Sequence, residues 1–159
     1  MNYELNKISV VILNYNGQKL MEKYLPTVIE NSRGAEIVIA DNGSTDSSVE
    51  WLKTTYPQLR LIAFKKNYGF AEGYNQALKQ INNEYYVLLN SDVRTPKSWL
   101  EPLLEYMEQH TECAACQPKI RSEYEPNKFE YAGAAGGFID MYGYPLCQGR
   151  VMNNIEIDN

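Results

Sequence analysis

The chain has 159 residues, of which 44% are hydrophobic and 22% charged, a composition that suits one soluble globular domain and excludes a disordered chain. Its net charge of −5 at pH 7 disfavours a protein that grips the nucleic-acid backbone through a basic face. No apolar run reaches the roughly 18 residues that span a bilayer, and the N-terminus has no basic region followed by an apolar core. We therefore expect a cytoplasmic protein.

The first two thirds of the chain alternate between strand and helix patterns. ISVVIL, residues 8–13, is a continuous β-branched run, which predicts a strand covered on both faces. In the next segment the apolar spacing predicts a helix that Pro26 kinks or restarts. The later elements in chain order are strand 36–41, helix 47–56, strand 59–64, helix 70–81, strand 85–90 and a helix ending near residue 110.

The last third is less regular. Thr95 or Ser98 is a candidate cap for the helix that ends near residue 110. Four of its apolar residues are expected to point inward: Trp99, Leu103, Tyr106 and Met107. CAACQPKI, residues 113–120, predicts a fifth, buried strand, and the glycine-rich remainder predicts a short β-rich tail. We place the boundary between an α/β domain and this tail after residue 122.

Strands and helices that alternate in this way predict a mainly parallel sheet with helices on both faces. Ligands bind such sheets outside the carboxyl ends of the strands, so the loops NYNG, DNGSTD, KKNYG and NSD should share one edge. Amides and acids dominate these loops and could read a base or a sugar, although the same residue types also form good turns. The polar or aromatic candidates are Asn14, Tyr15, Asn16, Asp41, Asn67, Gly69, Asn75, Asn90 and Asp92.

The segment YYVLLNSD, residues 85–92, places a carboxylate directly after an apolar strand that we expect at the centre of the sheet. Magnesium and manganese are often held by one or two carboxylates together with oxygens of a substrate diphosphate. Asp92 is therefore the predicted metal ligand.

Cysteine spacing offers a second, different metal site. His110, Cys113 and Cys116 form H-x2-C-x2-C, and Cys147 could complete four zinc ligands. The competing interpretation, which we favour, is that these cysteines belong to a buried strand, because cysteine is a common core residue.

Four motifs in this order, VVILNYNG, ADNGSTDSS, KNYGFAEGYNQAL and YYVLLNSD, resemble those of the family 2 glycosyltransferases, inverting enzymes with a GT-A fold. The resemblance covers roughly residues 8–121. It is nearest to a bacterial, rhamnosyltransferase-like subset that acts in cell-surface polysaccharide synthesis. A dinucleotide-binding G-x-G-x-x-G after the first strand and a phosphate-binding G-x-x-x-x-G-K-[ST] are both missing.

The resemblance implies specific site residues. Asp92 would hold Mg²⁺ or Mn²⁺, and the first acid of the family's D-x-D motif is replaced by Asn90 in this chain. The implied nucleotide-binding residues are Leu13, Asn14, Tyr15, Asp41, Asn67, Gly69, Asn90 and Ser91. The implied donor is a nucleotide-diphosphate sugar, with UDP or dTDP as the nucleotide.

The resemblance also implies a catalytic base, but nothing after Asp92 matches the family's E-D-like motif. We expect that base beyond Asn159, with Glu130 and Asp140 the only nominees within the chain. The chain would then be the truncated donor-binding part of a larger transferase, with residues 1–122 as the nucleotide-sugar-binding domain and 123–159 as the start of an acceptor-side region. The acceptor would be a saccharide or a lipid-linked saccharide, which implies peripheral membrane association. A stacking platform for it could form from Tyr131, Tyr142 and Tyr144. The alternative function is a non-catalytic nucleotide-binding or interaction domain.

Overall fold

A computed structural model describes residues 4–130, 136–147, 150–151 and 154–155 of the chain. The chain divides into two compact units, Met1–Leu104 and Glu105–Asn159. The predicted boundary after residue 122 stays a prediction. Among the described residues, no helix combines the length and the hydrophobicity needed to cross a membrane.

The first unit contains a parallel α/β arrangement. Its strands and helices are, in order, β1 (Ile8–Asn14), α1 (Gln18–Asn31), β2 (Glu36–Asp41), α2 (Ser48–Thr55), β3 (Arg60–Ala63), α3 (Phe70–Leu78) and β4 (Tyr85–Asn90). A helical turn, Leu5–Lys7, precedes β1, and α4 (Glu101–Gln109) starts in this unit. Apart from small shifts at their ends, these elements are the predicted ones.

The sheet has four strands in the order β3-β2-β1-β4, and every neighbouring pair is parallel. The expected mainly parallel sheet is therefore confirmed, but the central position predicted for β4 is wrong. Among the described residues β4 lies at one edge of this sheet, and its Leu88 is 53% exposed. β1 and β2 each have a partner on both sides, and the residues of β1 from Ile8 to Ile12 are all buried.

Helices cover both faces of the sheet, as predicted. On one face, Val10 and Ile12 of β1 pack in a cluster with Met21 and Leu25 of α1, and Leu104 of α4 joins the same cluster. On the other face, the buried side chains are Val11, Val38, Ala40, Ile62, Tyr74, Ala77 and Ile81. Full burial of a Val, Leu, Ile or Met side chain contributes about 1.5–3 kcal/mol, so the two clusters stabilise the sheet from both faces.

Two helices differ from their predictions. α1 continues from Gln18 to Asn31 as one helix with Pro26 inside it, so the predicted restart is wrong and the predicted kink stays a prediction. α4 begins at Glu101, after Ser98, whose left-handed backbone (φ 52°) interrupts the helical path. As a result its buried side chain is Leu104, whereas Tyr106, predicted to point inward, is exposed.

The second unit contains short β pieces. β5 (Gly137–Ile139) pairs with β6 (Pro145–Cys147), and β7 (Arg150–Val151) pairs with β8 (Asn154–Ile155), both antiparallel. These hairpins agree with the predicted β-rich tail. The fifth strand predicted at residues 113–120 is wrong: that segment is irregular and mostly exposed, so its small apolar residues find no sheet to join.

Candidate functional site

The carboxyl ends of the four parallel strands lie at one edge of the sheet. Strand register places Asn14 beside Asp41, Leu13 beside Asn90, and Asp41 beside Ala63. The loops after these strands therefore start at the same edge, which is the arrangement predicted from the alternation of strands and helices. We call this edge, with the residues that follow each strand directly, the strand-end rim: 15–17 after β1, 42–47 after β2, 64–69 after β3 and 91–92 after β4.

At the base of the strand-end rim, Asn14 and Asp41 form a buried pair. Asn14 is 0% and Asp41 1% exposed, and Nδ2 of Asn14 donates to Oδ2 of Asp41 over 2.8 Å. The other carboxylate oxygen, Oδ1, accepts from the backbone N–H of Ser44 at 2.9 Å. Both predicted residues thus support the loops from below, and the predicted contact of Asp41 with a base stays a prediction.

Asn14 Nδ2 also donates to Ser44 Oγ over 3.1 Å. This orients the amide, so Oδ1 points the other way, towards Gly17, and has no hydrogen-bond partner within the described part of the chain. A side chain at Gly17 would collide with that oxygen. Glycine at this position therefore allows α1 to start directly over the buried pair.

Asn16 links the loop after β1 to the loop after β2. Its backbone is left-handed (φ 52°), and its Oδ1 accepts from the backbone N–H groups of Thr45 at 2.7 Å and Asp46 at 3.2 Å. Its own N–H donates to Ser44 Oγ over 2.9 Å. Tyr15, the predicted stacking residue, is 50% exposed between the two anchored asparagines.

Asp46, which sequence reasoning missed, bridges the starts of two helices. Its Oδ2 accepts from the N–H of Gln18 in α1 at 3.3 Å, and its Oδ1 accepts from the N–H of Ser48 in α2 at 3.0 Å. Burial raises the pKa of this carboxyl, but the hydrogen bonds from Ser48 and Gln18 outweigh it and lower the pKa below its usual value. Asp46 therefore stays ionised and caps both helices.

Asn42 connects the loop after β2 to the loop before α3. Its side chain is buried. Nδ2 of Asn42 donates to Asn67 Oδ1 at 3.0 Å and to the Gly69 carbonyl at 2.9 Å. Oδ1 of Asn42 accepts from the Tyr68 N–H at 2.9 Å. Asn67 Oδ1 also accepts from the Gly69 N–H at 2.7 Å. Asn42 was missed because an asparagine before a glycine also suits a simple turn.

Gly43 and Gly69 are required for different reasons. Both have positive φ, 75° and 79°. A Cβ at Gly43 would lie 2.5 Å from the backbone carbonyl carbon of Lys66, whereas at Gly69 no atom lies within 4 Å. Glycine at position 43 thus allows a close contact between two loops, whereas at Gly69 it is the positive φ of the turn into α3 that favours glycine.

The predicted metal ligand lies just beyond β4. Asp92 and Asn90 are exposed and Ser91 is half-buried. Among the described residues, no three His, Cys, Asp or Glu side chains are grouped for a metal. The oxygen ligands that the chain offers here are the carboxylate of Asp92 and, just before it, the amide of Asn90 and the hydroxyl of Ser91. Such ligands suit Mg²⁺ or Mn²⁺ where a substrate diphosphate supplies further oxygens.

The two carboxylates nominated as bases, Glu130 and Asp140, belong to the second unit. Oδ1 of Asp140 accepts from the N–H groups of Tyr142 and Tyr144, both at 2.9 Å, so it holds the turn between β5 and β6. Glu130 is exposed. Of the proposed stacking platform, Tyr142 and Tyr144 are exposed, and Tyr131 lies outside the described residues.

We expected Cys113 and Cys116 to lie in a buried strand, and this expectation is wrong. Cys116 is exposed, and Cys113 Sγ donates to the Ala115 carbonyl. His110 Nδ1 instead lies 3.3 Å from Glu112 Oε1. Burial and the neighbouring Cys113 raise the pKa of the Cys116 thiol. The side chain of Cys147, the fourth ligand of the zinc alternative, lies outside the described residues.

Comparison with known proteins gives the family. The family model of glycosyl transferase family 2 matches residues 9–157. The chain belongs to this family. It is 29% identical over 118 residues to an undecaprenyl-phosphate 4-deoxy-4-formamido-L-arabinose transferase of Photorhabdus laumondii, covering 69% of this chain and 36% of the relative. It is 24% identical over 126 residues to an N-acetylglucosaminyl-diphospho-decaprenol L-rhamnosyltransferase of Mycobacterium tuberculosis, covering 72% of this chain and 41% of the relative.

Solved structures show the same fold. Residues 1–349 of S. aureus TarS in complex with UDP-GlcNAc match with a TM-score of 0.57 and 21% identity, over 72% of this chain and 38% of that chain. The mannosyltransferase PcManGT of Pyrobaculum calidifontis, in complex with GDP-Man and Mn²⁺, matches with a TM-score of 0.52 and 24% identity, over 72% and 34%. The GT-A fold is thereby confirmed. The chain spans little more than a third of the two relatives' length.

Proposed function

We propose that this glycosyl transferase family 2 chain is the donor-binding part of an inverting glycosyltransferase. In that reaction an acceptor hydroxyl attacks the anomeric carbon of a nucleotide-diphosphate sugar, the bond from that carbon to the diphosphate breaks, and a base takes the hydroxyl proton. The observation that carries the proposal is the strand-end rim, where four polar loops gather at the carboxyl ends of parallel strands in a member of this family.

For the nucleoside, we assign the loops after β1, β2 and β3. Tyr15 is half exposed between Asn14 and Asn16, both of which are held by hydrogen bonds, so its ring is available for stacking. Asn67 and Gly69 are held by Asn42 and would border the diphosphate. Leu13, Asp41, Asn90 and Ser91 complete the assigned set. UDP and dTDP are the nucleotides we favour, and the neighbouring TarS structure holds UDP-GlcNAc.

For the metal, we assign Asp92. Its exposed carboxylate follows β4 at the same edge, and Asn90 precedes it in the place of a second acid. A bound Mg²⁺ or Mn²⁺ would neutralise the charge that builds on the departing diphosphate. The PcManGT structure, which holds GDP-Man together with Mn²⁺, lends the assignment general support.

For the acceptor, we propose a saccharide or lipid-linked saccharide in cell-surface polysaccharide synthesis, which would place the protein in the cytoplasm at the inner face of the membrane. The names of two relatives, which refer to undecaprenyl phosphate and to a diphospho-decaprenol, support a lipid-linked acceptor. We propose that the base lies beyond Asn159, because nothing after Asp92 matches the family's E-D-like motif. This chain alone would then bind donor and transfer sugar slowly or not at all.

Calorimetric titration of the chain with UDP and dTDP, with and without Mn²⁺, tests the proposal. We expect binding that Mn²⁺ strengthens, and loss of that metal-dependent gain in Asp92→Ala. Glu30→Ala is the matched control, because Glu30 is an exposed acid on α1 away from the strand ends. If the affinity for the nucleotide changed neither with Mn²⁺ nor in Asp92→Ala, the result would favour the non-catalytic nucleotide-binding domain. If the chain bound no nucleotide at all, donor recognition by this chain would be rejected.

A further inference from the structure

We propose that Asn16 is a positioning residue, which fixes the loop after β1 against the loop after β2 so that both meet the nucleotide in one arrangement. This inference rests on the proposed donor-binding function. It differs from the sequence interpretation, in which Asn16 is one of several rim amides free to read a base or sugar. A single side-chain oxygen of Asn16 makes the contacts that link the two loops.

That oxygen, Oδ1 of Asn16, is fully used within the protein. It accepts from the Thr45 N–H at 2.7 Å, the Thr45 hydroxyl at 3.3 Å and the Asp46 N–H at 3.2 Å. An amide oxygen has two lone pairs, so three donors leave no capacity for a ligand. Asn16 therefore acts on the neighbouring loop through its oxygen.

The backbone of Asn16 strengthens the same link. Its φ of 52° lies in the left-handed region, which asparagine tolerates better than most residues. In this conformation the Asn16 N–H reaches Ser44 Oγ at 2.9 Å. Ser44 in turn donates its own N–H to Oδ1 of the buried Asp41 at 2.9 Å. The link thus continues from the exposed loop down to the end of β2.

Tyr15 is the side chain that this arrangement positions. It lies between Asn14, which is bonded to Asp41 and buried, and Asn16, which is bonded to the next loop. Anchors on both sides restrict the Tyr15 backbone and leave its ring half exposed. Order that is already present in the free protein lowers the entropy cost of binding, so loss of the Asn16 link should weaken nucleotide binding without any lost ligand contact.

The test compares Asn16→Gly with Ser98→Gly. Ser98 has the same φ of 52° as Asn16, and glycine can keep the left-handed backbone at either position. Of the two residues, Asn16 is the one whose side chain accepts hydrogen bonds from the loop after β2. UDP binding in the presence of Mn²⁺ is measured by calorimetry, and amide hydrogen exchange is followed at Thr45 and Asp46. Ser44→Ala is a second variant, because it removes the acceptor of the Asn16 N–H.

We expect Asn16→Gly to weaken UDP binding about tenfold, the equivalent of roughly one hydrogen bond, with faster exchange at Thr45 and Asp46. Ser44→Ala should act in the same direction, and Ser98→Gly should bind UDP as the wild type does. Unchanged UDP binding in both Asn16→Gly and Ser44→Ala would overturn the proposal. Weaker binding with unchanged exchange would also overturn it, since Asn16 would then touch the ligand directly.

Failure of the donor-binding function itself would look different. In that case the wild-type chain would not bind UDP, whereas Asn16→Gly would still accelerate exchange at Thr45 and Asp46. That result would reject a role for Asn16 in nucleotide binding and leave its bonds as contacts of the fold. If Asn16→Gly did not fold at all, its role would be structural and the proposal would be wrong.

Discussion

Asn14 donates its side-chain N–H to the carboxylate of Asp41 over 2.8 Å, and both side chains are buried at adjacent strand ends. Asn14→Ala would leave Oδ2 of Asp41 without this donor. A buried polar group that loses its partner costs about 1–3 kcal/mol, and we expect the free energy of unfolding to fall by that amount. Urea denaturation followed by circular dichroism measures it.

The control for Asn14→Ala is Asn82→Ala, a loss of the same side chain at an exposed position. Substitutions away from buried networks usually change the free energy of unfolding by less than about 0.5 kcal/mol. If Asn14→Ala were as mild as Asn82→Ala, the Asn14 hydrogen bond would not stabilise the strand ends.

Alanine at Gly43 should destabilise the protein more than alanine at Gly69. Both substitutions force a side chain into the left-handed half of the backbone map, at a cost of about 1–3 kcal/mol. At Gly43 the new Cβ would also meet the Lys66 backbone at 2.5 Å, whereas Gly69 has open space. Parallel urea denaturation of the two variants gives the difference, and equal losses of stability would show that the loops separate without cost.

The strands at the centre of the sheet could be predicted because their sequences are continuously apolar. β1 and β2 were recognised from ISVVIL and EIVIAD, and both are buried along almost their whole length. The order of the strands was not accessible in the same way. YYVLLN reads as a buried strand, yet β4 lies at an edge with Leu88 exposed, because no local pattern encodes the number of neighbours that a strand has.

The positions of the candidate site residues were predicted better than the contacts that their side chains make. Loop residues at four strand ends were placed correctly at one edge, since parallel strands must end together. The partners of Asn16 and Asn42 could not be predicted, because they lie 25–30 residues away in sequence. An amide in a turn looks the same in sequence whether it faces a ligand or holds the next loop, and only the folded arrangement separates the two.

Manganese and UDP should strengthen each other's binding. The described part of the chain offers no group of three His, Cys, Asp or Glu side chains around Asp92, so a diphosphate would have to supply part of the metal's coordination. We expect weak Mn²⁺ binding to the chain alone and an increase of about tenfold when UDP is present. Electron paramagnetic resonance of free Mn²⁺ measures this.

Thermodynamic linkage requires that Mn²⁺ raise the affinity for UDP by the same factor. UMP, which lacks the second phosphate, should give little enhancement, and Asp92→Ala should abolish it, whereas Glu30→Ala should retain it. Equal enhancement by UMP and UDP would place the metal away from the diphosphate and contradict the assignment of Asp92.

Asp46→Asn should reduce stability at neutral pH, and the difference should disappear in acid. The carboxylate caps α1 and α2, a contribution of about 0.3–1 kcal/mol at low ionic strength. Its pKa is lower in the folded protein than its usual value of 3.8. The stabilisation is therefore complete above about pH 4, and it is lost as the pH falls through the lower pKa that Asp46 has in the folded protein.

Urea unfolding of the wild type, Asp46→Asn and the control Glu30→Gln at pH 7 and at decreasing pH measures this. A difference that stayed constant into acid would mean that the charge of Asp46 does not stabilise the two helix starts.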